Sequence, residues 1–239
     1  MMKPKQHRRW LVAGGAVLAI AAGSMALAEV DQGSVARGGK LYDKWYKVVK
    51  AETPTEPHQL YPKGVNEKYE TDAASNWRCK ECHGWDGMGV DGAYGGGSHK
   101  SGIKGINGMQ GGDPAAVVAL LKAPEHGFGD KLSDENLTDL ANFVVFGQID
   151  WSNYVAEKKI IGDAVAGGQV YNTACVGCHG ADGKLPQGMP PLGSLTSNPW
   201  EVMHKVLNGQ PGEAMPALRA IDHTVSANLV AYLATLPAQ

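Results

Sequence analysis

The stretches Cys79-Lys80-Glu81-Cys82-His83 and Cys175-Val176-Gly177-Cys178-His179 decide the fold of this chain. In each stretch two cysteines are separated by two residues, and a histidine follows at once. Together they contain all 4 cysteines of the 239-residue sequence. A pattern of this kind that occurs twice indicates two copies of one chemical site. We therefore expect the surrounding sequence to repeat as well.

The sequence around the two motifs does repeat, in blocks that keep the same order. Besides the cysteine motifs, the blocks are Gly38-Gly39 with Gly167-Gly168, Asp113-Pro114 with Asn198-Pro199, and residues 140–144 with residues 230–233. A stretch at 46–78 occurs only in the first copy. We interpret it as a surface loop or lid, with solvated padding as the alternative. The repeat predicts a first domain over 29–155, which includes this insertion at 46–78, and a second domain over 160–239.

Composition and periodicity predict a globular, helical protein. Hydrophobic residues make up 43% of the chain, charged residues 19%, and the formal net charge is −2. With no basic run after the N-terminal segment, nucleic acid is not expected as a partner. Apolar residues repeat with helical spacing from Leu137 to Val145 and again from Val225 to Leu236, whereas strand alternation is nearly absent. The glycine-rich loops of such small units need a further group to fill the middle of each.

Residues 1–28 are expected to be a signal peptide. A positively charged start is followed by an apolar run of 12 residues from Leu11 to Ala22, which is too short for a comfortable span of about 20 residues. Ala26-Leu27-Ala28 matches a cleavage site. An uncleaved membrane anchor is the alternative. Cleavage after Ala28 predicts an acidic protein in the periplasm, with no stable membrane span.

The chemistry of the C-x-x-C-H spacing points to covalently attached haem. The two thiols form thioethers with the haem vinyl groups, and the adjacent histidine supplies an imidazole nitrogen to the iron. The expected attachment residues are Cys79, Cys82, Cys175 and Cys178, and the expected proximal iron ligands are His83 and His179. One zinc site made from four thiols, or two redox disulfides, are the alternatives. Both are disfavoured because the pairs are far apart, each precedes a histidine, and neither lies in a βαβ pattern.

With these motifs, the repeat and the export signal, the chain resembles a tandem dihaem cytochrome c. The resemblance covers nearly all of residues 35–239 except the insertion. It implies an all-α fold of two cytochrome c-like helical domains in tandem, each wrapped around a covalently bound haem, hence two haem c groups. It also implies that the first and last helices of each domain cross at a glycine. The implied contacts are Gly39 with Phe143, Gly168 with Tyr232, and Pro191 beside the second proximal histidine.

The resemblance further implies a methionine as the second iron ligand in domain two. Met215 lies in a stretch that resembles the family's methionine loop, and Met189 is the competitor. Domain one has no such stretch, but His126 precedes Phe143 by 17 residues, as Met215 precedes Tyr232. The equal spacing favours His126 as the distal ligand of domain one. His99, Met109, Met88 or a vacant position are the alternatives, whereas His58, His204 and His223 are expected on the surface.

Two unequal iron sites in one small chain favour a periplasmic electron carrier over an enzyme. A thioether ligand stabilises Fe(II) relative to a second imidazole, so domain one is expected to have the lower potential. The expected partners are an electron donor and an electron acceptor, and the oligomeric state is open. The alternative is a dihaem oxidoreductase, thiosulfate-oxidising or peroxidase-like, with one haem as its catalytic site. The sequence offers no acid–base pair beside a vacant iron, and no fifth cysteine for a thiosulfate-oxidising site.

Overall fold

The computed structural model describes residues 30–239. The expected signal peptide and its cleavage site after Ala28 lie outside these residues. The helices are α1 Gln32–Val48, α2 Glu67–Glu70, α3 Ala73–Asn76, α4 Cys79–His83, α5 Pro114–Lys122, α6 Asp134–Phe146, α7 Ala164–Val170, α8 Val176–His179, α9 Leu192–Leu195, α10 Pro199–Asn208 and α11 His223–Leu233. Short 3-10 helices lie at Ala93–Gly95, Gly97–His99, Asn107–Met109 and Trp151–Asn153, and a π-helix at Tyr171–Cys175 joins α7 to α8.

The expected helical character is confirmed, with one small exception. Strand β1, Val155–Ala156, pairs antiparallel with β2, Lys159–Ile160, and these are the only strands within residues 30–239. The predicted helix starts are also present. Asp113 and Asn198 accept hydrogen bonds from backbone N–H groups at the starts of α5 and α10, each with proline at the first helical position, and Ser133 does the same for α6.

Two hydrophobic clusters organise the described residues. The first lies among α1, α5 and α6 and is centred on Leu41, Leu137 and Leu140. The second lies among α7, α10 and α11 and is centred on Tyr171, Met203 and Val230. Ile149, Trp151, Tyr154 and Ile160 pack against the second cluster, although they precede α7. We refer to α1–α6 as the first half and to α7–α11 as the second half.

A helix crossing at a glycine holds each half together, and in each half the closest approach is at the glycine just before the expected one. A Cβ atom on Gly38 would lie 2.0 Å from the Asp139 carbonyl oxygen of α6, and one on Gly167 would lie 1.9 Å from that of Asn228 in α11. Only glycine permits such a close backbone approach. The predicted contact of Gly168 with Tyr232 is present, since a Cβ atom on Gly168 would lie 3.1 Å from the Tyr232 ring, whereas Gly39 faces Asn208 of α10 rather than Phe143.

Helix α10 of the second half lies on α1 of the first half. The His204 ring nitrogen Nε2 is 2.9 Å from the Gly39 carbonyl oxygen, and the Lys205 ammonium is 2.6 Å from the Asp43 carboxylate, which also binds Arg78. His204 is therefore buried, whereas it was expected on the surface. Burial lowers the pKa of His204 to about 4. Burial alone would raise the pKa of Asp43, but Lys205 and Arg78 outweigh it and lower the pKa to about 2.

Candidate functional site

The two cysteine motifs adopt one local geometry. In the first half Cys79–His83 forms α4, which ends at Gly84 with φ +82°. In the second half the motif spans the end of the π-helix and α8, which ends at Gly180 with φ +74°. Both glycines take up a left-handed conformation, in which a larger residue would be strained.

A tyrosine fixes each motif to the helix that precedes it. The hydroxyl of Tyr42 in α1 donates to the Gly84 carbonyl at 2.6 Å, and the hydroxyl of Tyr171 donates to the Gly180 carbonyl at 2.6 Å. Both tyrosines are buried. The glycine–tyrosine pairs occupy equivalent positions in the internal repeat, so the two motifs are held in the same way.

The histidine of each motif is oriented by a backbone carbonyl. Nδ1 of His83 lies 2.8 Å from the Lys104 carbonyl oxygen, and Nδ1 of His179 lies 3.1 Å from that of Leu185. Because a carbonyl only accepts, each Nδ1 is the protonated nitrogen, and the lone pair of Nε2 is left for a metal. The hydrogen-bond partner of the second histidine is therefore Leu185. Pro191, which was expected to pack beside this histidine, precedes α9 as its N-terminal cap residue.

Burial keeps the two cysteines and the histidine of the first motif uncharged. It raises the pKa of the Cys79 and Cys82 thiols to about 12, and it lowers the pKa of His83, which the nearby His126 lowers further. Burial likewise raises the pKa of Cys175. All four cysteines are free of disulfides. Neutral imidazole is the form of histidine that binds a metal, so the protonation state suits ligation.

His126 lies in the loop that follows α5, which we define as residues 123–129 and call the His126 loop. Its side chain is half-buried, and burial lowers its pKa. His99, one of the alternatives, is engaged elsewhere: its Nδ1 lies 2.9 Å from the Glu81 carboxylate, and its ring stacks between Tyr69 and Tyr94. Met109 packs against the first cluster.

Met215 lies in the corresponding loop of the second half, between α10 and α11. Its side chain is partly buried and packs against the second cluster, as do Cys175 and Leu218. Met203, in contrast, is completely buried within α10 and is a core residue. Met189 lies in the exposed loop after α8 and is itself partly buried.

The insertion packs against the His126 loop, a contact that the sequence did not predict. His58, which was expected on the surface, is buried, and its Nε2 lies 3.1 Å from the His126 carbonyl oxygen. The side-chain amide of Gln59 donates to the Pro124 carbonyl at 2.5 Å and to the Glu125 carbonyl at 3.0 Å. The His58 ring packs edge-on against Trp77, with 4.3 Å between the ring centres. The His, Trp and Tyr residues of the insertion are the sequence feature that could have indicated its fixed structure.

The donor sets fit covalently attached haem better than a zinc ion. Each half offers two thiols and an imidazole with a free Nε2 on one short helical segment, beside a hydrophobic cluster. Nowhere in residues 30–239 do three or more His, Cys, Asp or Glu side chains converge in a group that can hold a metal ion. The four thiols thus do not form one tetrahedral site.

Comparisons with known proteins match most of the second half to one family. Residues 162–233 match the family described as cytochrome c oxidase, cbb3-type, subunit III. This is a c-type cytochrome domain, and such domains carry covalently bound haem c. No curated protein matches the chain. No helix between residues 30 and 239 is long and apolar enough to cross a membrane.

One of the solved structures that match the chain resembles it only weakly. It is a chain of the reducing HAO-like protein complex of Kuenenia stuttgartiensis, with 15% sequence identity and a TM-score of 0.30. The match covers 77% of this chain and 98% of the other. A TM-score this low supports no argument about the fold or the function of this chain.

Proposed function

We propose that this chain is a periplasmic dihaem c-type cytochrome that transfers electrons between a donor and an acceptor protein. One observation carries the proposal: both C-x-x-C-H motifs have the same geometry, with a buried tyrosine on the closing glycine and a carbonyl on Nδ1 of the histidine. The family match covers only the second motif. The structural equivalence extends the interpretation to the first motif.

The attachment residues in this proposal are Cys79 and Cys82 in the first half and Cys175 and Cys178 in the second half. His83 and His179 are the proximal iron ligands, each held by its backbone carbonyl so that Nε2 points away from the hydrogen bond. Such a carbonyl fixes the tautomer and the ring orientation of a metal-bound histidine. Haem, when bound, supplies the one-electron chemistry of its iron.

His126 and Met215 are the proposed distal ligands, which makes the two sites unequal. They lie in equivalent loops, each between a helix that starts with proline and the last helix of its half. A methionine ligand raises the potential of haem iron, whereas a second histidine does not. Electrons therefore enter at the first half and leave from the second half. In this proposal residues 1–28 are the signal peptide, and cleavage after Ala28 releases the protein into the periplasm.

The contacts around His126 favour electron transfer over catalysis at that iron. The insertion holds the His126 loop through His58 and Gln59, so the ligand is kept in place by hydrogen bonds outside the loop itself. A fixed distal ligand leaves no position for a substrate. The alternative function, a dihaem oxidoreductase, can be distinguished from electron transfer by the reactivity of the haems.

The mass and the spectra of the exported protein test this function. We expect the intact mass to include two haems, the Cys79→Ala/Cys82→Ala variant to lose one, and the Cys175→Ala/Cys178→Ala variant to lose the other. Ferric and ferrous spectra should show two low-spin haems that do not react with carbon monoxide, cyanide or peroxide. A high-spin component that reacts with peroxide would identify an enzyme, and a mass without haem would refute the proposal altogether.

A further inference from the structure

The helix crossing of the second half carries an open groove on its outer face. The groove has a volume of about 420 Å³ and is lined by Ala164, Val165, Gly168, Gln169, Asn172, Tyr232 and Thr235. Val165, in the first turn of α7, is 78% exposed.

The internal repeat shows what fills such a groove. With Gly38-Gly39 set against Gly167-Gly168, the counterparts of Val165 and Asn172 are Ala36 and Asp43 in α1. Both counterparts are buried, with 6% and 1% exposure, and the Gly39 backbone and the Asp43 carboxylate bind α10 of the second half. The groove is therefore the second copy of a helix-docking site that the chain already uses once.

The docking between the two halves is not reciprocal. α10 occupies the site on the first half, but its counterpart α5 does not occupy the groove on the second half, which stays open. A contact between two different surfaces is heterologous and can be repeated from one molecule to the next.

Helix α5 itself presents an apolar outer face. Ala115, Ala116, Ala119 and Leu120 are all exposed, and Leu120 is 46% exposed. With Asp113-Pro114 set against Asn198-Pro199, the counterparts of Ala119 and Leu120 are His204 and Lys205, the residues through which α10 binds α1. The exposed face of α5 is thus the equivalent of the docked face of α10.

The ion pair of the contact between α1 and α10 has no charged counterpart on the groove or on the α5 face. In the contact within the chain, the acid is Asp43 on the groove side and the base is Lys205 on the helix side, 2.6 Å apart. In the open pair the acid is replaced by Asn172 and the base by Leu120. Neither open surface would bury an unpaired charge against the other, which would be costly. The open groove is thus matched to α5 and not to a charged helix like α10.

We propose that α5 of a second copy docks in the groove formed by α7 and α11, so that molecules associate head to tail. Each molecule offers one groove and one α5 face, and joins two neighbours in a series, since a pair held by one such contact still has one unused groove and one unused α5 face. The proposal does not depend on which residues ligate iron, since none of the proposed ligands lines the groove or the α5 face.

The dependence of mass on concentration tests the association. For the haem-loaded wild-type protein, sedimentation equilibrium should show a weight-average mass that rises beyond two chains as the concentration increases. Val165→Asp in the groove and Leu120→Asp on α5 should each weaken association at least tenfold and leave a monomer. Both side chains are exposed in the single molecule, so unchanged haem spectra should confirm that the variants fold. Val90→Asp, which is exposed but outside both surfaces, is the matched control and should behave like the wild type.

Mixing the two variants gives the decisive result. The Val165→Asp protein keeps an intact α5 face and the Leu120→Asp protein keeps an intact groove, so an equimolar mixture should form complexes of two chains and nothing larger. A wild-type protein that stays monomeric up to about 1 mM would overturn the proposal, and this is also the result expected if the groove binds a different cytochrome. A mass that stops at two chains, or a mixture that stays monomeric, would overturn it as well.

Discussion

Each histidine that we propose as a proximal ligand is oriented by a single hydrogen bond. Nδ1 of His83 and of His179 donates to a carbonyl oxygen, and this decides which nitrogen keeps a lone pair. The carbonyls come from different contexts: Leu185 follows its histidine by six residues, whereas Lys104 lies at the far end of the glycine-rich loop and pairs with Gly89. The same chemical result is thus reached although the two loops differ in length.

At the scale of a single residue, His126→Met should raise the potential of one haem and leave the other unchanged. A thioether stabilises Fe(II) relative to imidazole, and the rise should be roughly 100–200 mV within the ~0.8 V range that axial ligands span. Spectroelectrochemical titration measures both potentials. His99→Gln is the matched control, because His99 binds Glu81. If both potentials stay the same in His126→Met, then His126 is not the ligand, and Met109→Leu becomes the next variant to measure.

The insertion is the element that distinguishes the first half from the second. Its buried residues include His58, Tyr61, Tyr69 and Asn76. The side-chain amide of Asn76 links two parts of the insertion's backbone: it accepts a hydrogen bond from the His58 N–H at 2.9 Å and donates one to the Tyr69 carbonyl at 3.0 Å. The insertion is therefore an ordered cover beside the His126 loop, and of the two interpretations made from the sequence the lid is favoured over solvated padding.

Removing the contact between the insertion and the loop should loosen the distal ligand. His58→Ala deletes the hydrogen bond to the His126 carbonyl and the packing on Trp77. A hydrogen bond contributes about 0.5–1.5 kcal/mol, so we expect the ferrous first haem to bind carbon monoxide up to about tenfold faster. Stopped-flow or flash photolysis measures this rate. His223→Ala, a half-buried histidine of the second half, should leave it unchanged, and an equal rate in His58→Ala would show that the insertion does not hold the ligand.

The glycine crossings are the second feature at the scale of elements. Gly167→Ala would force a Cβ atom to within 1.9 Å of the Asn228 backbone carbonyl. Since a backbone atom cannot move aside as a side chain can, we expect a loss of about 3 kcal/mol in the free energy of unfolding. Denaturant titration measures it. Gly96→Ala should change stability by less than about 0.5 kcal/mol, because Gly96 has an extended φ and no atom within 4 Å of a Cβ. Similar effects of the two variants would contradict the crossing geometry.

At the scale of the whole molecule, the two halves are joined by a buried polar interface. His204 bonds to the Gly39 carbonyl, Arg219 donates to the Gly147 carbonyl at 3.1 Å, and Asp43 holds both Lys205 and Arg78. Breaking one member of such a buried network is costly because its partner is left unpaired. The arrangement of the halves is therefore specified by polar geometry as well as by apolar contact.

This interface should make stability depend on pH. The pKa of His204 is about 4 in the folded chain and 6.5 when unfolded. Between these values the unfolded chain binds more protons, so stability falls as the pH falls. We expect the folded protein to be about 2 kcal/mol less stable at pH 5 than at pH 7 through this residue. Denaturant unfolding at both values measures it. His204→Gln can still donate to Gly39 but does not titrate, and should lose this part of the difference; if it does not, another group is responsible.

Much of the candidate site could be predicted from the sequence because its signals are local. The C-x-x-C-H spacing, the capping residues with proline at the next position, and the helical stripes each lie within a few residues. The 17-residue spacing that selected His126 comes from comparing equivalent positions in the two copies of the repeat. The errors are of another kind: His58 and His204 were expected on the surface, and Gly39 was paired with the wrong helix. Each of these depends on a contact with a residue more than 60 positions away.

Short-range spacing and steric preference act within each element, so the helices, the two cysteine motifs and the internal repeat could be predicted from the residues alone. That α10 is buried on α1 while α5, which starts in the same way, keeps an exposed apolar face follows from the folded structure. Both helices carry the same local signals, Asx cap and proline. Their surroundings differ because packing joins residues that are distant in the chain, and no local pattern records which surface meets which.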